Sequence, residues 1–365
     1  MIRTSPHASR TITRTAISRS ASDGLPLFPH APLPLAHAIR NRFPPTAETP
    51  ARSGFAPVQS ILDSFSISKQ HLKHLDAIAL VREQRDQAKQ ELGFHARPFV
   101  LCGIPLRRPP AGQLVHRRRN GKFYLEMTAH PDFGLPFGQD RLIPIWVATL
   151  AVKQKSRAVR FESASEILEF FQLPKDGLHY RRLVQGFQRI FASTIFFGTQ
   201  EADRPSPVFD WARFHFFDRA ELWYNHVDRE TCPAVRSDRN TITLSEAFYD
   251  EVDQHRIPVE RQAVATLANA PGLLDFYIWI VWKSWAIKRG MTRIPLFGAQ
   301  GLQAQLGTVD YSRNKRFRQT LRRWLKRIQL LWPDCPVELS PDLQYLVVQS
   351  STLRPAINGS TTIAS

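Results

Sequence analysis

The 365-residue chain is poor in cysteine: Cys102, Cys232 and Cys335 lie far apart, with no CxxC and no Cys/His pair at metal-ligand spacing. An odd, sparse set of this kind fits buried structural thiols in a reducing cytoplasm and gives no basis for a disulfide framework or a metal site. Long hydrophobic runs are also missing. The longest, Leu142 to Val152, has 11 residues and includes a proline, far short of the roughly 20 needed to cross a bilayer, so no membrane partner is expected. The chemistry-bearing motifs are absent too: there is no GxxxxGK[ST] nucleotide loop, no HExxH and no GxSxG. A rolling-circle nickase would want His-x-His, whereas His215 stands alone in Arg213-Phe214-His215-Phe216. Asp250, Glu251 and Asp253 form an acidic group, but at the end of a helix such a group reads as a solvated face rather than a metal site. No catalytic residue, metal or cofactor is therefore expected.

The most telling absence is of acid. Between Tyr311 and Trp332 there is no Asp or Glu, while Arg313, Lys315, Arg316, Arg318, Arg322, Arg323, Lys326 and Arg327 all fall there. In the same stretch Phe317, Leu321, Trp324, Ile328 and Leu331 are spaced four, three, four and three apart, the period of an amphipathic helix with one apolar face. Solvated surface helices usually interleave Glu with Lys, because like charges at i,i+4 cost a few tenths of a kcal/mol each. Eight uncompensated cations point instead to a polyanionic partner, nucleic acid above all. The whole chain agrees in sign, with Lys+Arg 49 against Asp+Glu 32 and a net charge of +17.

Taken in order, residues 1–60 hold nine of the 27 prolines and seven arginines against two acids. That composition predicts a disordered basic arm, with an organellar transit peptide as the alternative. A helix is expected from Ser68 to Leu92, stopped by Gly93, with Leu72, Leu75 and Ala79 on its packed first half. Val100, Leu101 and Ile104 read as a strand. Leu114–Arg119 and Lys122–Met127 flank Asn120-Gly121, a hairpin signal with both turn positions at positive φ, and Arg117-Arg118-Arg119 leads to that basic tip. Pro144 is tolerable only in the first turn of a buried helix over Ile143–Val152. Ser163 with Glu166 predicts a capped helix to Phe171, the turn Leu173–Gly177 follows, and Leu178–Ala192 is a further helix. Two strands, Ser193–Thr199 and Val208–Asp218, then complete the order helix, helix, turn, helix, hairpin. The order recurs with a helix over Pro271–Lys288, a short helix Ala299–Leu306 ended by Gly307, the basic helix, and a hairpin of Val337–Leu339 with Tyr345–Val348. Trp279, Trp282 and Trp285 are expected to pack in the core of the Pro271–Lys288 helix, with stacking on single-stranded bases as the alternative.

The expected fold class is α+β, mainly helical: two tandem winged helix-turn-helix domains behind a disordered basic N-terminal arm. The expected divisions are residues 1–60 (arm), 61–95 (helix and linker), 96–235 (first winged-helix domain), 236–350 (second) and 351–365 (disordered tail).

At Gly134–Lys155, GLPFGQDRLIPIWVATLAVKQK, the sequence resembles the plasmid-encoded replication initiators of the RepA type. The resemblance continues through Phe161–Leu173 and HYRRLVQGFQRIFAST (His179–Thr194), and resumes at ITLSEAFYDEV (Ile242–Val252) and GLLDFYIWIVWKSW (Gly272–Trp285). It spans roughly residues 96–350, with Pro144 departing from an aliphatic position. It implies paired winged helices that bind direct repeats in double-stranded origin DNA, initiate plasmid replication with the host replication initiator and replicative helicase, and repress their own promoter. Monomer and homodimer both stay open as the active form, and the expected location is the bacterial cytoplasm, associated with DNA. A winged-helix transcriptional regulator without a replication role is the alternative on the same physics.

In such a motif one helix enters the major groove while phosphate contacts set its register. In the C-terminal copy Arg318 and Arg322 are the expected base-edge or close phosphate contacts, Lys315, Arg316, Arg323 and Lys326 contact phosphates, and Arg313 belongs to the same DNA-binding set. In the first copy Leu183, Phe187 and Ile190 form the core stripe. Arg181, Gln185 and Gln188 then face outward, with Arg182 and Arg189 to one side. Gln can bridge adenine and Arg guanine, so this mixed face reads as the more sequence-specific of the two. Lys153, Lys155 and Arg157, which follow the first apolar helix, are expected to add phosphate contacts.

Overall fold

The computed structural model of the chain describes residues 69–200, 209–221, 240–298, 300–307 and 313–351. The expected N-terminal arm, the tail from residue 352, the linker 201–208 and Cys232 lie outside the described residues.

The chain begins its described course in α1 (Lys69–Asp86), followed by β1 (Leu92–His95) and α2 (Arg97–Leu101). The hairpin β2 (Val115–Asn120) and β3 (Phe123–Ala129) leads through a 3-10 turn, Gly138–Arg141, into α3 (Leu142–Gln154). Then come β4 (Ala158–Phe161), α4 (Ser165–Phe170), α5 (Gly177–Phe191), β5 (Ser193–Gln200), β6 (Phe209–His215) and β7 (Phe217–Glu221). After β8 (Asn240–Leu244), α6 (Glu246–His255), β9 (Ile257–Glu260), α7 (Arg261–Leu267) and α8 (Pro271–Ala286), the chain forms β10 (Met291–Pro295) and α9 (Leu302–Gln305). It ends in α10 (Asn314–Leu331), β11 (Val337–Leu339) and β12 (Tyr345–Gln349). This is a mixed α and β architecture. The described strands form four antiparallel sheets, in the orders β2-β3-β5-β6, β4-β8-β7, β1-β9 and β10-β12-β11.

Two helices make the core because their sequences are apolar all round. In α3 every residue from Leu142 to Thr149 is buried, and Trp146 meets Phe161 edge-on at 4.8 Å. Pro144 sits in its first turn, where a missing N–H leaves no bond unmade. In α8 Trp279 is fully buried, and its indole N–H donates to Gln305 at 3.1 Å, as a buried indole requires. The core expectation does not extend along that whole helix: Trp282 is half-buried and Trp285 is 50% exposed.

Strand pairing ties distant parts of the sequence. β1 pairs with β9, and β8 lies between β4 and β7. The expected division at residue 235 therefore falls between two neighbouring strands of one sheet.

Local expectations in four elements are corrected. The first helix ends at Asp86, and Gly93 lies inside a strand. Its anchoring is also reversed: Leu72 is 48% exposed, whereas Ile78 and Val81 are buried. The polar half makes the contacts, with Arg82 Nε donating to the Leu330 carbonyl at 2.6 Å and Arg85 Nη1 to that of Leu331 at 2.9 Å. These two guanidiniums satisfy carbonyls that the end of α10 leaves open and complement its negative pole. Arg85 also pairs with Glu260 at 2.6 Å. Residues 97–101 are helical rather than extended, with Pro98 in the first turn. The capped helix expected from Ser163 starts at Ser165, although the Glu166 carboxylate does accept from the Ser163 amide at 3.2 Å. The β2–β3 turn lies one residue later than expected, at Gly121-Lys122, with Asn120 paired to Phe123. Asn120 is pulled inward because its amide donates to the Leu101 carbonyl at 3.0 Å. Of the two turn residues only Gly121 then takes a positive φ, 58°.

His95, in β1, is buried, stacks on Phe99 at 5.9 Å, and has no partner for Nδ1. Burial, helped by the nearby Arg141 charge, pushes its pKa down from 6.5 to about 3. Between those values the unfolded chain takes up a proton that the folded chain refuses. Stability is therefore expected to be intact above pH 6.5 and to fall by about 1.4 kcal/mol per pH unit as the pH drops below it. Urea melts of the wild type and His95→Phe from pH 7 to pH 4.5 check this. The variant should lose that part of the slope, and an unchanged slope would place the effect elsewhere.

Candidate nucleic-acid interface

The helix α5 starts at a strong cap. The Asp176 carboxylate accepts from the amides of Leu178 and His179 at 3.0 and 2.9 Å. Those bonds, with one from the His179 ring, hold that carboxyl below the usual carboxylate range. Phe187 and Ile190 are buried and Leu183 packs against the core, as the spacing predicts. Arg181, Arg182, Gln185 and Gln188 are exposed on the other side. Arg181 Nε returns a bond to the Gly177 carbonyl at 3.2 Å, which leaves the rest of its fork for another acceptor.

Arg189 corrects the expectation. Its guanidinium is bidentate to Asp140, with Nε and Nη2 at 2.7 and 2.9 Å, and it lies 4.8 Å over the Phe137 ring. Both side chains are largely hidden, at 13% and 7% exposure. Arg189 is thus a structural residue on the inner flank of α5, and the helix comes very close there. A Cβ on Gly186 would stand 2.8 Å from an Asp140 oxygen and 2.9 Å from Ile143, so only glycine allows the approach. Lys153 and Lys155 are exposed at the end of α3, the latter closing the helix at φ 49°.

In α10 Phe317, Leu321, Leu325, Ile328 and Leu331 are buried. Trp324 is half-buried against Phe276, at 6.1 Å between ring centroids. A Cβ on Gly272 would fall 2.7 Å from that indole. The two candidate helices are thus each seated against a neighbouring element at a glycine. Arg313, Lys315, Arg316, Arg322, Arg323 and Lys326 are exposed. Arg322 and Lys326 line a shallow depression with Leu325, Gln329 and Leu339, placing them beside the β11–β12 hairpin. Arg318 is less available: Nε donates to the Leu343 carbonyl at 3.1 Å, and the guanidinium lies 4.7 Å over Phe297. Arg327 is half-buried, its Nε without a partner, and burial pulls its pKa below the ordinary arginine value.

The β2–β3 hairpin sends three consecutive arginines to three different places. Arg117 pairs with Glu126 at 2.6 Å. Arg118 points to the other face and donates to the Gly307 carbonyl at 3.0 Å, while β2 packs along α9. Arg119 is exposed near the tip, beside Lys122. Alternation along a strand dictates this split, but the sequence alone does not show that Arg118 meets the turn ahead of α10.

Two members of the acidic group in α6 are engaged in ion pairs. Glu251 receives both arms of Arg97 at 2.9 Å, and Asp253 pairs with Arg256 at 3.2 Å. Burial pushes the Glu251 pKa up. Among the described residues no group of three or more His, Cys, Asp or Glu is placed to hold a metal ion. No helix among them is long and apolar enough to cross a membrane.

Residues 187–295, from the middle of α5 to the end of β10, match the family described as plasmid encoded RepA protein. Over that stretch the resemblance read from the sequence holds. The GLPFGQDR block and α10 lie outside the matched residues. Among solved structures, a crystal structure of RctB domains 2-3 (RctB-155-483) aligns with a TM-score of 0.43 and 13% identity, covering 68% of this chain and 95% of that one. A selenomethionine derivative of RctB domains 2 and 3 aligns with a TM-score of 0.46 and 12% identity, covering 68% and 96%. No curated protein matches the chain.

Proposed function

We propose that the chain is a plasmid replication initiator that binds repeated duplex DNA at an origin through two reading helices, α5 and α10. The observation that carries the reading is α10. Its apolar stripe is spent on the core, and every charged residue on its remaining faces is a cation. A polyanion is the partner that relieves that repulsion, and the match over residues 187–295 to plasmid RepA supports origin DNA as that polyanion.

In this reading α4, α5 and the β5–β6 hairpin make one winged helix-turn-helix, and α9, α10 and the β11–β12 hairpin make the other. Arg181, Arg182, Gln185 and Gln188 read or grip the duplex from α5. Arg313, Lys315, Arg316, Arg322, Arg323 and Lys326 do so from α10, with Lys153 and Lys155 adding phosphate contacts. Arg318 contributes through its remaining N–H groups, and Arg189 leaves the set. Roughly eight phosphate contacts give a log–log salt slope near −7. Self-repression and recruitment of the host initiator and helicase rest on the RepA resemblance alone.

The test is a nuclease footprint on DNA flanking the gene, with excess nonspecific competitor, followed by an autonomous-replication assay of the protected segment. Protection repeating over direct repeats, in a segment that replicates only with the protein, is the expected result. Protection without replication would favour a transcriptional regulator, and no protection would sink both.

A further inference from the structure

Asp140 and Arg141 are adjacent, largely buried and oppositely charged, yet neither pairs with the other. Asp140 reaches α5, and Arg141 reaches α8, the helix that packs against α10. Asp140 takes the bidentate guanidinium of Arg189 in α5 and also accepts from the Phe137 amide at 2.9 Å. Arg141, only 4% exposed, gives Nε and Nη2 to Asp275 of α8 at 2.7 and 2.9 Å. It also donates to the Gly138 carbonyl and, at 2.9 Å, to that of Ile104. Helix α8 also carries α10, through Gly272 and Phe276 against Trp324.

We propose that Asp140 and Arg141 are positioning residues: together they form the joint that fixes α5 relative to the α8–α10 unit. Apolar contacts are non-directional and let packed helices slide, whereas a bidentate guanidinium–carboxylate pair fixes distance and plane together. Two such pairs, mounted back to back on one 3-10 turn, leave that turn no freedom to rotate without breaking one of them. Burial makes a broken pair costly, so the joint resists drift between the two helices. A protein reading two elements of one site needs such stiffness, because a small rotation at the joint moves a helix out of its groove. Arg118, bonded to the Gly307 carbonyl, braces the same region from the β2–β3 hairpin.

Calling α5 and α10 reading helices rests on the proposed function. The test is made on protein alone, so that its outcome and the outcome of the DNA reading stay separate. The full chain, with Cys102, Cys232 and Cys335 replaced by serine, is spin-labelled at Gln185→Cys and Lys326→Cys, both exposed. Pulsed EPR should give one narrow distance distribution. Asp140→Asn keeps the shape but weakens the grip on Arg189, and Arg141→Lys keeps the charge but loses the fork. In both the distribution should at least double in width while thermal unfolding stays cooperative. A width unchanged from the parent in either folded variant would overturn the proposal. So would loss of cooperative folding in both variants, since the pair would then maintain the core rather than set an orientation.

Discussion

Asp275→Ala is expected to cost about 3–5 kcal/mol of folding stability, and Arg141→Leu distinctly less, although the two substitutions break the same ion pair. The asymmetry follows from what each leaves behind. Without Asp275, Arg141 remains 4% exposed, with only two carbonyls as partners, and an arginine cannot shed its charge in a protein. Without Arg141, Asp275 can. Burial already pushes its pKa up against the pull of Arg141, and at 17% exposure it retains some contact with water. A protonated carboxyl there costs far less than a stranded guanidinium. The double variant Arg141→Leu/Asp275→Leu should recover most of the loss, as apolar replacements of buried pairs often do. Chemical denaturation of the three variants at neutral pH checks this. Equal losses for the two single variants would show that Arg141 is not a trapped charge.

The second large effect concerns DNA. Replacing Arg322 and Lys326 together by alanine should flatten the salt slope from about −7 to about −5. At 0.15 M salt that amounts to roughly 30-fold weaker binding, on any duplex sequence. Both side chains are exposed, so truncation removes charge without opening the core. Arg189→Gln tests the correction made by the structure: it should cost stability, because Asp140 loses its partner, yet leave the slope unchanged. Gln185→Ala and Gln188→Ala belong to another class, costing on the order of 1–3 kcal/mol each on the specific site alone. Gel shifts across a salt series separate the three cases. A slope unaffected by the α10 double variant would remove that face from the interface.

Much of this was legible in the sequence, for identifiable reasons. The helices α3, α5, α8 and α10 follow from apolar spacing that one helix can satisfy by itself, and the cationic face of α10 follows from a missing residue type. What escaped depends on partners far away in sequence. Arg189 reads as the flank of a basic helix until Asp140, 49 positions earlier, is placed beside it. The strand β1 is four residues whose partner β9 lies more than 160 positions on, so nothing local marks it. The anchoring of α1 is hidden for the same reason, since its arginines cap carbonyls at the end of α10. The turn at Gly121-Lys122 shifted by one residue because a distant carbonyl, that of Leu101, claimed the Asn120 amide. One signal did exist for the proposed joint: an adjacent Asp-Arg pair at the entry to a helix whose first two turns are apolar is a pair bound for burial, and buried charges need partners.

The most direct test of the account is the ratio of specific to nonspecific affinity. The duplex protected in the footprint and a scrambled duplex of equal length should be titrated side by side at 0.15 M salt, each in competitor. Two reading helices held at a fixed angle predict a ratio on the order of 1,000 or more, reduced by Gln185→Ala/Gln188→Ala with the scrambled duplex unaffected. A ratio near one would mean that the +17 charge attracts any polyanion, and the assignment of α5 and α10 as reading helices would fail.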